Sequence, residues 1–151
     1  LSRLSRTLFV DENVDVLLMK PVKFRRTFYD TGPEGETLIY NVERLWELAC
    51  NLPVQVIPLT QVEAELDYPY QWFKSKKPSP REVARHAKLI YEADLSYPII
   101  LSSRGLVMDG IHRIARSWLL GLETIQAVQF SYDPIPDQVI PEKHSDAPFA
   151  Q

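Results

Sequence analysis

The sequence predicts a mixed α+β domain with short strands, not a regular alternation of strand and crossover helix. Three observations predict it. Helical apolar spacing recurs in separate stretches, short β-branched or apolar runs lie between them, and glycine or proline punctuates the junctions. The chain has 151 residues, which fits one domain able to bury roughly 70% of its unfolded surface. A hydrophobic fraction of 45% and a charged fraction of 25% are ordinary for a globular protein. The net charge of −3 argues against wholesale nucleic-acid binding, and no apolar run approaches the roughly 20 residues that cross a bilayer. One cysteine, Cys50, permits no internal disulfide, so a reducing, cytoplasmic setting is expected.

Residues 1–36 read as an N-terminal extension with one or two short strands, ending in the turn-like Asp30-Thr31-Gly32-Pro33-Glu34-Gly35. Residues 37–132 are expected to form the domain. Asn41 is placed to cap a helix whose apolar positions are Val42, Leu45, Leu48, Ala49 and Leu52, with Pro53 just past its end. Cys50 reads as a packing residue of that helix. Val54 to Leu59 reads as a strand, and an aromatic loop runs from Asp67 to Phe73.

Ser79-Pro80-Arg81-Glu82 is a strong helix start: serine caps, proline takes the first helical position, and glutamate can reach back. Val83, Ala84, Ala87, Ile90 and Ala93 would give that helix one buried face. Ile99-Ile100-Leu101 and Leu106-Val107-Met108 flank the turn Ser103-Arg104-Gly105 and predict a hairpin. A helix at 111–120 would bury Ile111, Ala115, Trp118 and Leu119 or Leu122, and Thr124 to Phe130 reads as the last strand. The prolines of residues 133–151 predict an unpacked tail.

The chemistry concentrates at Asp109-Gly110-Ile111-His112-Arg113, where a strand turns on glycine into a helix start. Such a start presents backbone N–H groups and the positive end of the helix dipole, an anion site. Gly110 allows positive φ and close ligand approach, although a turn alone also needs a small residue there. A cation in the first helical turn is disfavoured by roughly 0.3–1 kcal/mol. Arg113 either meets an anion that reverses this sign or pairs with Asp109. His112 is a candidate acid, base or phosphate donor, with a packed or capping ring as the alternative. Asp109 can cap the helix, orient His112 or hold a magnesium ion. Arg116 reads as a solvated group.

A second cluster comprises Lys74, Lys76, Lys77, Arg81, Arg85, His86 and Lys88. It is a solvated face by default, yet Lys76 and Lys77 precede a helix start, so it could share a polyphosphate with the Gly110 turn. Glu63, Glu65 and Asp67 follow the first core strand and are candidate general bases, again against surface solvation as the default. Trp72, Phe73, Tyr68 and Tyr70 read as core cover rather than base-stacking groups.

From Val54 to Phe130 the order of elements resembles the ParB/sulfiredoxin superfamily. The resemblance rests on Tyr97-Pro98-Ile99-Ile100-Leu101, a turn, Met108-Asp109-Gly110-Ile111-His112-Arg113, and then Ala115 and Gly121. Gly110 to Arg113 matches that family's Gly-x-x-Arg phosphate cradle, and Asp-Gly-x-His-Arg is similar to the form in its free serine kinases. The resemblance implies a single ParB/sulfiredoxin-like domain with a small mixed sheet and packed helices. It implies a nucleotide of ATP, ADP or CTP type, with or without Mg2+, or another phosphorylated small molecule.

Under this reading Gly110, Ile111, His112 and Arg113 hold phosphates, with Ser79, Arg81 and Lys77 as a loose match to a second contact region. His112 and Asp109 are the catalytic candidates, Asp109 also the metal ligand. Glu65 stands for the carboxylates near the position of the family's serine-kinase base. Ile111 occupies the place of the sulfiredoxin cysteine, which removes sulfinic-acid reduction, and little follows Phe130 to supply a partition protein's DNA-binding domain. The expected function is therefore nucleotide phosphate binding, extending to a small phosphotransferase or nucleotidase. The alternatives are a non-catalytic nucleotide-sensing or protein-interaction module, including a homo-oligomer, and, least favoured, a nuclease.

Overall fold

A computed structural model describes residues 27–68 and 77–142. Strand β1 (Thr27–Thr31) and β2 (Thr37–Asn41) pair antiparallel across the turn at Gly32 to Gly35. Asn41 ends β2 and caps α1 (Val42–Ala49), its Oδ1 accepting from the backbone N–H of Glu43 at 2.8 Å. β3 (Gln55–Pro58) runs into two 3₁₀ turns, Leu59–Gln61 and Glu63–Asp67. Next come α2 (Pro80–Tyr91), β4 (Ile99–Leu101), β5 (Val107–Asp109), α3 (Ile111–Leu119), β6 (Thr124–Gln129) and β7 (Gln138–Ile140). The fold is α+β, as the sequence predicts.

The larger sheet has the order β3-β6-β4-β5 and is mixed. β6 is antiparallel to β3 and parallel to β4, and β4 and β5 form the expected hairpin. Alternation along its strands sends side chains to two cores. Ile100, Met108 and Val128 pack with Leu45, Trp46 and Ala49 of α1 and with Phe28 and Tyr40 of the β1–β2 hairpin. Ile99, Leu101, Val107, Ile125 and Ala127 pack on the opposite face with Ile111 and Ile114 of α3 and with Leu59 and Val62. The sheet is thus covered on both faces, which explains why all three residues of β4 are buried and none is polar.

Three sequence expectations change. α2 carries the full capping box, with Ser79 and Glu82 bonding reciprocally, yet none of its residues is buried and Val83 is 47% exposed. The capping signal sets where a helix starts, not how deeply it packs. On α3, Ile111 and Ala115 are buried as expected, but Trp118, Leu119 and Leu122 are exposed. The buried stripe instead runs through Ile114 and includes Arg113 and Ser117.

The chain after Phe130 is also not loose throughout, because β7 pairs with β2 in a second sheet of order β1-β2-β7. Asp137 fastens it there. Its backbone N–H donates to Ile39 O at 2.8 Å, and its carboxylate accepts from the N–H of Asn41 at 2.7 Å and from Arg44 Nη1 at 3.1 Å. Strand pairing therefore crosses residue 36 and residue 133, the two points where the sequence divides the chain into extension, domain and tail.

Tyr40 belongs to the first core, and burial raises its pKa, helped by the nearby carboxylates of Asp133 and Asp30. A folded pKa above the unfolded one means that both states hold the proton below about pH 10, so stability is full there. Stability then falls as pH rises from about 10 through the folded pKa. Urea unfolding measured between pH 9 and 11 is expected to show this loss, and Tyr40→Phe is expected to flatten it.

Candidate functional site

β5 delivers Asp109 to the sheet edge, Gly110 turns the chain at φ +119°, and α3 begins at Ile111. Only glycine adopts such a φ readily, and its missing Cβ matters too. A Cβ on Gly110 would lie 2.5 Å from Ile99 Cγ2 and 3.1 Å from Arg113 Nη2. The space that glycine opens is thus taken by the core and by the guanidinium.

Arg113 is 6% exposed. Its Nη2 donates to Asp109 Oδ2 at 2.9 Å, the same oxygen accepts from Trp46 Nε1 at 3.1 Å, and the guanidinium lies 5.4 Å from the Trp46 ring centroid. Of the two roles open to Arg113 in the sequence, the pairing with Asp109 is the one observed. Arg113 Nε and, one turn on, Ser117 Oγ are buried without a hydrogen-bond partner among the described residues. Trp46 is the residue sequence reasoning missed. It sits 63 positions from Asp109 on a helix whose apolar spacing was read without it, and no local pattern announces such a contact.

Asp109 is accordingly committed to a cation and an indole. Among the described residues no group of three or more histidine, cysteine, aspartate or glutamate side chains is placed to hold a metal ion. The donor set around Asp109 does not fit a protein-built metal centre.

Gly110 supplies no side-chain cap to α3, in contrast to Asn41 on α1 and Ser79 on α2. His112 stands in this first turn, half-buried, and meets His86 of α2, with His86 Nδ1 3.5 Å from His112 Nε2. The helix of the basic cluster therefore does reach the Gly110 turn. Arg116, expected as a solvated group, fastens α2 to α3 instead. Its Nη1 donates to the carbonyls of Tyr91 and Ala93 at 2.5 and 2.7 Å.

The remaining candidates lie further out. Ser79 spends its hydroxyl on the N–H of Glu82 at 3.3 Å, and Arg81 and Lys77 are exposed at and before the start of α2. Glu65 is half-buried on the 3₁₀ turn Glu63–Asp67, which packs against α3. Cys50 donates to Glu47 O at 2.9 Å, an ordinary local contact. Lys74, Lys76, Tyr70, Trp72 and Phe73 lie outside the described residues. No described helix is long and apolar enough to cross a membrane. No family model, curated protein or solved structure matches this chain.

Proposed function

We propose that the chain binds the phosphate group of a nucleotide, or of another phosphorylated small molecule, at the N-terminal mouth of α3. The observation that carries this reading is the meeting of His112 and His86 at a helix start whose N-cap is a glycine with no side chain to cap it. The helix dipole favours an anion at that point, and an imidazole N–H of His112 can donate to a phosphate oxygen. Arg113 acts one step removed: by holding Asp109 it fixes the turn that presents α3. This differs from the direct phosphate contact implied by the family resemblance.

The strand-glycine-helix order supports a ParB/sulfiredoxin-type nucleotide domain, with Lys77 and Arg81 as outer contacts for a longer polyphosphate. Glu65, on the turn packed against α3, is the candidate base if the bound phosphoryl group is transferred. In that case the preorganised charge of the helix mouth supplies the main stabilisation of the transferring group.

Calorimetric titration of the protein with ADP, CTP and inorganic pyrophosphate tests this reading. His112→Ala is expected to weaken binding at least about tenfold, roughly 1.4 kcal/mol, while the denaturation midpoint stays within a few degrees of the parent. Equal affinity in parent and variant would remove His112 from the site. Intact nucleotide after long incubation would mark a binding module, and turnover only with an added acceptor a phosphotransferase.

A further inference from the structure

The two imidazoles at the α2–α3 junction are nearly parallel, with an interplanar angle of 9°, but they are not stacked face to face. Their centroids are 5.7 Å apart and their facing nitrogens 3.5 Å apart. The difference is close to two ring radii, so the nitrogens point at one another along the line of centres and the rings are nearly coplanar. That is the geometry of a hydrogen held between His86 Nδ1 and His112 Nε2, at the long end of hydrogen-bond range.

We propose that His86 is a positioning residue for His112, and that one shared hydrogen couples their tautomers. A neutral imidazole carries a single N–H. If His86 Nδ1 donates, His112 Nε2 is the acceptor, and the hydrogen of His112 must sit on its Nδ1. If His112 Nε2 donates, His86 must carry its own hydrogen on Nε2. The two rings therefore always bear hydrogen on the same-named nitrogen. In the first state His112 carries its hydrogen on Nδ1, and in the second its Nδ1 carries a lone pair. The states exchange as one proton enters at the outer nitrogen of one ring, the shared hydrogen crosses, and one proton leaves at the outer nitrogen of the other. Nothing is gained or lost overall.

Among the described residues, the charged side chains on the surrounding elements are Arg81, Glu82, Arg85 and Lys88 of α2, Asp109 at the end of β5, Arg113 and Arg116 of α3, and Glu63, Glu65 and Asp67 on the 3₁₀ turn. The positioning role rests on the phosphate reading of the α3 mouth; the shared hydrogen does not. An anion at His112 selects the state in which both rings carry hydrogen on Nδ1.

Two-bond 1H–15N correlation of the histidine rings, recorded on the full ligand-free chain near pH 8, tests the coupling. The same tautomer is expected for both rings, and where that is Nδ1–H, His86→Phe is expected to move His112 toward Nε2–H. Opposite tautomers in the parent, or a parent with Nδ1–H on both rings whose His112 keeps Nδ1–H in His86→Phe, would overturn the proposal. Adding pyrophosphate is expected to move both rings toward Nδ1–H. Its binding is expected to weaken roughly five- to tenfold in His86→Phe and to stay within about twofold in His86→Gln, whose amide can still donate to His112. If the ligand-free rings are coupled but pyrophosphate binds nowhere, the phosphate reading fails and the shared hydrogen stands.

Discussion

Asp109→Ala is expected to destabilise the fold by about 3–5 kcal/mol, the usual cost of stranding one member of a buried ion pair. The side chains of Asp109 and Arg113 are 15% and 7% exposed, so water cannot replace the lost partner cheaply. The alanine also strips Trp46 Nε1 of its acceptor. Asp109→Asn keeps an oxygen for both donors and removes only the charge, so it is expected to cost about half as much. Urea denaturation at neutral pH reads both values, provided the m-value stays that of the parent. A loss below about 1 kcal/mol for Asp109→Ala would mean that Asp109 is not what holds Arg113 in the core.

Gly110→Ala is expected to cost about 2–6 kcal/mol, from two independent sources. The φ of +119° strains any L-residue by about 1–3 kcal/mol, and overpacking against Ile99, whose Cβ would lie 2.8 Å from the new methyl, adds about 1–3. Gly105→Ala separates the two. It shares the positive φ, at +84°, but its Cβ would meet nothing within 4 Å, so only the backbone share remains. Equal losses at the two glycines would show that the packing against Ile99 is not felt.

How much of this could be read in advance depended on the range of the interaction. The Asn41 and Ser79 caps, the hairpin at 99–109 and the turn on Gly110 are local, set by residues within about ten positions of one another, and the structure has each of them. Depth of burial is not local. The spacing of Val83, Ala84 and Ala87 describes an apolar stripe, but only the layer opposite decides whether the stripe is covered. Trp118 and Leu119 mislead for the same reason, since α3 turns its Ile114 side to the sheet.

β7 was obscured by the prolines around it. A short edge strand between prolines needs only a partner edge, and β2 offers one. Within the candidate site, the Arg113–Asp109 pair follows from i,i+4 spacing and could be named from sequence. Its third member Trp46, and the meeting of His112 with His86, depend on helices distant in the chain.

The central claim, that the mouth of α3 binds phosphate, is tested most directly by backbone amide chemical shifts in a titration with pyrophosphate or ADP. The largest saturable changes are expected at Ile111, His112 and Arg113, followed by His86, with little change in β1, β2 and β7. No saturable shift at those amides, or shifts confined to the start of α2 around Lys77 and Arg81, would contradict it.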